Sequence, residues 1–276
     1  MYNKKLKKVL AVTIILLMVF SFAACSAKTG TDGESPAETK VDKIKKAGKI
    51  VLGTAADYPP YEFHKEIDGK DQIVGFDIEI AKVIAEDLGV ELEIVDMKFD
   101  GLLAALVADD IDFIIAGMVP KEERKKSVDF SIPYYKAEQK MLIRTEDADK
   151  LKSIEDFKGL KMGAQKSTVQ EDIAKEKFPD AELISLSKIT DLVLELKNKK
   201  IDGLVIVGPV GAAYAKQNAD LQIPEILLGT EDGVAVAVNK GNAELVDEIN
   251  KTLEKLMSQD QISKFIQEAS DLADQN

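Results

Sequence analysis

Arg124 is the residue in this chain best suited to hold a small anion. It sits in the run Glu122-Glu123-Arg124-Lys125-Lys126, and its guanidinium is a planar fork that can grip a carboxylate through two parallel hydrogen bonds. The plain alternative is a solvated charge on a Lys/Glu-rich helix. A second anion-seeking feature is a helical stretch over 168–178, with Glu171 and Asp172 in its first turn and Ser167 placed to cap it. Backbone N–H groups at such an end attract negative charge. Tyr58 and Phe99 are flat rings that can stack on guanidinium, imidazole or aliphatic groups at little entropic cost, or simply fill a core. No catalytic or metal-binding constellation emerges. His64 is the only histidine and lies in a charged stretch, Cys25 is the only cysteine, and the acids are scattered rather than spaced as a calcium loop. No metal and no cofactor are expected, and no glycine motif for phosphate is present.

These residues need elements to carry them. Lys49–Gly53 reads as a strand, Ile78–Ile84 has helical apolar spacing closed by Gly89, and Val90–Val95 alternates as a strand. Leu102–Val107 reads as helix and Ile111–Ala116 as a buried strand. Such alternation predicts an α/β architecture with largely parallel, buried strands. Ile111-Asp112 to Gly117 is echoed by Ile201-Asp202 to Gly208, each after a Leu-rich helical stretch. The echo points to two similar lobes. Ligands of open α/β sheets sit beyond the carboxyl ends of the strands, so the expected contacts lie at 54–61, 96–101, 116–124, 164–170 and 207–210.

The N-terminus follows a different logic. Lys4, Lys5, Lys7 and Lys8 precede an apolar run from Val9 to Phe22, too short to span a bilayer comfortably and shaped like a secretory signal. Ala23-Ala24-Cys25 resembles a bacterial lipobox, with Phe22 where leucine is usual. Residues 1–24 are therefore read as a signal peptide, Cys25 as a lipidated anchor to the cell membrane, and 25–43 as lipidated cysteine plus flexible tether, the stretch Ser26–Lys40 being poor in large apolar side chains. The alternative is a plain cleaved signal with an incidental cysteine. Loss of residues 1–24 moves the formal charge from −12 to −16, which disfavours nucleic acid as a partner.

The ordered series of motifs resembles the family 3 solute-binding proteins, the amino-acid-binding receptors of ABC importers. It runs from Gly53-Thr54 and Tyr58-Pro59-Pro60-Tyr61-Glu62-Phe63 through Gly75-Phe76-Asp77-Ile78, Phe99-Asp100-Gly101-Leu102-Leu103, Gly117-Met118 and Glu122–Lys126. Val128-Asp129-Phe130-Ser131, Pro133-Tyr134-Tyr135, Gly163-Ala164-Gln165 and Gln170-Glu171 complete it. The resemblance covers about 44–268. It implies a two-lobed type II periplasmic-binding-protein fold, each lobe a mixed sheet flanked by helices. Lobe 1 would hold 44–137 plus 235–270, lobe 2 would hold 138–234, and two crossover hinge strands would lie near Gln139–Arg144 and Leu228–Ala235. It implies a monomer that closes on its solute by hinge bending and is read by an importer permease.

By the same resemblance Arg124 binds the solute's α-carboxylate, the turn Ser167-Thr168-Val169 supports it from the other side, and Tyr58 and Phe99 sandwich its side chain. Ala116, Gly117, Val119 and Val207 complete the ligand-binding set. Three positions depart from the family pattern. Ala55 stands where an acid often follows glycine-threonine, Val119 where a hydroxyl is usual, and Val207 where an acid grips the α-ammonium. The carboxylate grip is kept and the usual ammonium grip is missing. Either the solute lacks a free α-ammonium, or another acid replaces the lost one, with Asp57, Asp100, Glu62 and Asp232 as candidates. A sensory binding protein and a cyclohexadienyl-dehydratase-like enzyme are the other readings of this fold. The second lacks the two obvious places for a general acid, Val207 and Ala55, and an enzyme is not expected.

Overall fold

The computed structural model describes residues 38–275. The signal peptide, Cys25 and the tether up to residue 37 lie outside the described residues. Helix α1 (Lys40–Ala47) is set by a capping box in which Thr39 and Asp42 satisfy each other's backbone N–H groups, and it buries Val41 and Ile44. The expected tether to residue 43 therefore stops earlier: paired caps and a two-residue apolar stripe order the chain from Thr39 onward.

The first part of the body runs β1 (Lys49–Thr54), β2 (Asp57–Tyr58), β3 (Glu62–Ile67), β4 (Lys70–Val74), α2 (Phe76–Leu88) and β5 (Glu91–Asp96). It continues α3 (Leu102–Val107), β6 (Phe113–Ile114), α4 (Glu122–Lys125) and β7 (Val128–Phe130). The second part runs β8 (Glu138–Arg144), β9 (Lys161–Gln165), α5 (Val169–Lys177), β10 (Glu182–Leu186) and α6 (Ile189–Lys197). It ends β11 (Gly203–Val207), α7 (Gly208–Gln217), β12 (Leu221–Gln222) and β13 (Gly229–Thr230). The chain then returns with β14 (Ala237–Asn239), α8 (Ala243–Ser258) and α9 (Gln261–Asp274).

The first sheet has the order β5-β1-β6-β14-β7 and the second β10-β9-β11-β8-β12, with β13 also on β8; β2, β3 and β4 form a small antiparallel sheet. Both large sheets are mixed rather than largely parallel. The pairs β1–β5, β1–β6, β9–β10 and β9–β11 are parallel, whereas β14 and β8 enter antiparallel to β6 and β11. The expected strand 111–116 shortens to Phe113–Ile114 because side chains take over its ends. Asp112 Oδ2 accepts the Val51 N–H at 2.8 Å and the Ile115 carbonyl accepts Thr54 Oγ1 at 2.8 Å.

The sequence echo has a structural counterpart. A Cβ on Gly53 would lie 2.2 Å from Ile111 Cδ1 and 3.2 Å from Leu102; on Gly163 it would lie 2.4 Å from Ile201 Cδ1 and 3.1 Å from Leu192. Asp202 Oδ2 accepts the Lys161 N–H as Asp112 accepts that of Val51. In both sheets a glycine lets the isoleucine of the Ile-Asp pair lie against its strand, β1 or β9, and the aspartate accepts a backbone N–H of that same strand.

Residues 131–137 lead from the first sheet to the second and 231–236 lead back. They lie alongside each other, with Ser131 N–H on the Val236 carbonyl, Tyr134 N–H on that of Val234 and Glu231 N–H on that of Ala137. Gln139–Arg144, expected as a crossover, is instead the interior of the second sheet. Its backbone partners are β11, β12 and β13. Helix α9 also ties the two sides, since Gln217 Nε2 of α7 donates to the Ala273 carbonyl.

Gly75 caps α2 at φ +133°, and a Cβ there would lie 2.0 Å from the Tyr61 carbonyl oxygen. Gly159, at φ +74°, has open space around it. Gly75→Ala should cost about 3 kcal/mol or more and Gly159→Ala about 1 kcal/mol. In thermal melts that is a fall of roughly 6–12 °C against roughly 2–4 °C.

Candidate functional site

The carboxyl ends of β1, β6 and β9, the start of β2 and the turn after β5 converge on one narrow cavity lined by both sides of the molecule. Tyr58, Phe99, Ala116, Gly117, Val119, Arg124, Thr168 and Val169 all line it, together with Ala55, Asp57, Glu62, Gln165 and Gln170.

Arg124 spans the opening. It is buried in the short helix α4, and its Nη1 donates to the Val119 carbonyl at 2.7 Å. Its Nη2 donates to the Ser167 carbonyl, on the other side, also at 2.7 Å. Its guanidinium carbon stands 5.4 Å from the centre of the Phe99 ring, a cation–π distance. Phe99 thus supports the arginine as well as facing the cavity. Burial lowers the Arg124 pKa to about 10, against the pull of Glu123 and Asp172; it stays charged at neutral pH.

The turn before α5 differs from the sequence expectation in one residue. Thr168, not Ser167, is the N-cap: it has extended φ/ψ, and its Oγ1 accepts the Glu171 N–H at 3.2 Å while donating to the Gln165 carbonyl at 2.6 Å. Ser167 has φ +65°, away from the extended conformation from which a capping side chain usually reaches the helix N–H groups. Ser167 contributes its carbonyl to Arg124, and its side lines the outer groove beyond the cavity rather than the cavity itself. Gly117 has φ +53°, and a Cβ there would come within 3.3 Å of both Tyr58 and Tyr61, so glycine keeps the ring of Tyr58 at the wall.

Val207 does not line the cavity. It is fully buried at the end of β11, paired with Gln139, and α7 starts immediately after it. Val207 and Val210 therefore pack into the core, and Gly208 and Pro209 between them are half-buried. Asp202 is likewise remote, bonded to Arg144 and to the Lys161 N–H.

Of the four candidate acids, two line the cavity. Glu62 is fully buried and neither of its carboxylate oxygens meets a donor. Burial, with Asp77 and Asp57 nearby, pushes it well above the usual carboxylate range. Asp77 accepts the Gly117 N–H at 2.9 Å and the Tyr134 hydroxyl at 2.8 Å, and burial raises it to about 6. Asp57 Oδ2 accepts the Ile189 N–H at 2.7 Å, its Oδ1 is buried without a partner, and burial raises it to about 6. Asp100 sits on the outer groove, 3.2 Å from Lys166. Asp232 is exposed, whereas its neighbour Glu231 points inward. Glu231 accepts from Gln139 Nε2, which in turn holds Gln170 at the cavity wall, and burial raises Glu231 to about 7. Residue alternation in this return segment decided which acid turned inward, a one-place matter that composition does not register. Among the described residues no cluster fit to hold a metal ion is present.

An arginine bridging two halves, a helix start facing it and aromatic walls at strand ends form the arrangement that the ordered motifs implied, and residues 50–269 match the profile of the bacterial extracellular solute-binding proteins, family 3. The chain belongs to that family. Among its relatives is the arginine-binding extracellular protein ArtP of Bacillus subtilis (strain 168), 36% identical over 94% of this chain and 96% of the relative. The ABC transporter glutamine-binding protein GlnH of the same organism is 34% identical over 92% and 93%. The crystal structure of the amino acid ABC transporter substrate-binding protein AbpA from Streptococcus pneumoniae Canada MDR_19A bound to L-arginine superposes with a TM-score of 0.81 at 36% identity. It covers 85% of this chain and 100% of that one. The fold is accordingly the type II fold of solute-binding proteins.

Asp57, Asp77 and Glu231 are held above the carboxylate range of an unfolded chain, Glu62 in the same direction. A raised pKa means the folded state binds the extra proton. The stability this gives is full below about pH 4 and lost as pH rises through about 6–7. The protein without added solute should melt roughly 5 °C or more higher at about pH 5.5 than at about pH 8, and differential scanning calorimetry checks this.

Proposed function

We propose that this protein is an extracytoplasmic receptor for a cationic L-amino acid of the arginine type, anchored to the membrane through Cys25 and delivering its solute to an ABC importer. The observation that carries the reading is a pair of acids, Glu62 and Asp57, on the wall of the same cavity as Arg124, Glu62 fully buried beside Asp77 and Asp57 with one carboxylate oxygen unpartnered. A buried carboxylate without a partner costs several kcal/mol, and a cation on the solute offsets that cost.

Arg124 and the N–H groups at the start of α5 supply positive potential at one end for an α-carboxylate. Glu62 and Asp57 supply negative potential elsewhere in the cavity for an α-ammonium or a guanidinium. The acids missing at Ala55 and Val207 are thereby replaced within the same cavity, by side chains on β2 and β3. Tyr58 gives a flat wall for the solute's stem. ArtP and the arginine-bound pneumococcal protein support this choice of solute; GlnH keeps a neutral amide side chain as the competing choice.

Residues 44–137 with 235–270 form lobe 1 in this reading, residues 138–234 form lobe 2, and the paired segments 131–137 and 231–236 are the hinge. ArtP, GlnH and the pneumococcal protein are binding proteins, which supports a role in binding. The protein works as a monomer presented to a permease.

Isothermal titration with L-arginine, L-citrulline and Nα-acetyl-L-arginine tests the assignment. L-Arginine should bind about a hundredfold or more tighter than citrulline, since losing the cation strands a buried acid at about 3 kcal/mol or more. Glu62→Gln should narrow that gap, and Arg124→Ala should abolish binding. Equal binding of arginine and citrulline would sink the cationic reading. Undiminished binding of the acetylated compound would mean that the α-ammonium is not gripped.

The anchor is tested separately. Cys25→Ser should move the protein from the membrane fraction to the medium, and continued membrane retention would overturn it.

A further inference from the structure

Asp57 belongs to the cavity wall and also to the contact across the cleft. It lies on β2, beside the first sheet. Its Oδ2 accepts the N–H of Ile189, the first residue of α6 on the second sheet, at 2.7 Å. Its backbone carbonyl accepts the hydroxyl of Tyr214, in α7, at 2.9 Å. Its remaining oxygen, Oδ1, is buried and unpartnered, in a residue that lines the cavity. One oxygen of this carboxylate thus holds the far side, and the other is left without a hydrogen bond in a residue on the cavity wall.

The two oxygens cannot be treated separately. The hydrogen bond to Ile189 joins the two sides, and in the same packing Oδ1 is out of water. An ionised carboxylate with one bare oxygen is costly to bury. A positive group in the cavity removes that cost and, by holding Asp57 ionised, also strengthens the charge-assisted bond to the start of α6. A neutral group does neither.

We infer that Asp57 makes closure of the cleft conditional on a positive charge inside it: it is a positioning residue that converts the charge of the solute into the closed form. The inference rests on the cationic-solute reading given above. Burial, which raises Asp57 to about 6 against the opposing pull of the Ile189 N–H and Lys188, reports the same cost.

The isosteric Asp57→Asn separates latch from charge, because asparagine keeps an oxygen for the Ile189 N–H and loses the charge. Tyr214→Phe is the companion: it removes a bond across the same cleft without touching charge. Small-angle scattering reads the radius of gyration of wild type and both variants without solute, with L-arginine and with L-citrulline, and titration gives the affinities. In Asp57→Asn the radius without solute should shrink toward the arginine-bound value, and the arginine-to-citrulline affinity ratio should fall about tenfold or more. In Tyr214→Phe both affinities should fall together with the ratio kept. A wild-type ratio and an unchanged radius in Asp57→Asn would overturn the inference, and so would a ratio that falls equally in Tyr214→Phe. If wild type binds neither compound, the cationic reading has failed. The radius of Asp57→Asn without solute still decides whether the charge holds the cleft open, and no contraction there overturns the inference. Melting curves confirm that each variant is folded.

Discussion

Charge held out of water at the meeting of two sheets is the constraint on which this molecule depends. Arg124 is buried with its two terminal nitrogens on carbonyls, Val119 on its own side and Ser167 on the other. Carbonyls satisfy its donors without neutralising it, so the positive potential remains available to an anion. Around it lie the fully buried Glu62 and Asp77 and the half-buried Asp57, with Glu62 and Asp57 on the cavity wall. Neither set is cheap to bury. The scaffold has to be rigid enough to hold both in place when the cleft is closed.

That rigidity comes from glycine and from short side-chain clips rather than from long strands. Gly53 and Gly163 let Ile111 and Ile201 lie against β1 and β9. Asp112 and Asp202 then bond the strand edges at Val51 and Lys161. The same device used twice leaves each sheet with a firm carboxyl end, from which the functional loops leave. Gly75 allows Phe76 and Asp77 N–H to bond back to the Pro60 and Tyr61 carbonyls, so the Tyr58–Glu62 segment is pinned where Asp77 can reach Gly117. A chain of local bonds therefore runs from a glycine turn to the floor of the cavity.

The ties across the cleft are of unequal weight. Lys121–Asp172 and Lys166–Asp100 are rim pairs with exposed partners, and such pairs contribute little. Arg124 to Ser167 and Asp57 to Ile189 are buried or half-buried and charge-assisted. The glutamine relay from Gln170 through Gln139 to Glu231 runs from the cavity wall to the return segment between the sheets. Buried polar chains of this sort fix geometry because each member leaves the next unsatisfied if it moves.

Much of this was legible in the sequence. The strand after Lys49, the helix ended by Gly89, the helix Leu102–Val107 and the Ile-Asp echo follow from short-range periodicity and from the freedom of glycine, which are properties of the chain itself. Arg124, Tyr58, Phe99 and Gly117 were identifiable because they lie in short segments that follow strand ends, within the motifs that carry the family resemblance. What the tertiary structure decided was long-range or turned on a single residue. It set which residue of Ser167-Thr168 is left-handed and which is the cap, whether Glu231 or Asp232 turns inward, and that Val207 is sealed into the core by α7. It also set that Asp57 reaches a helix 132 positions further along the chain. Such outcomes depend on which distant backbone group arrives opposite a side chain, and local sequence carries no record of that.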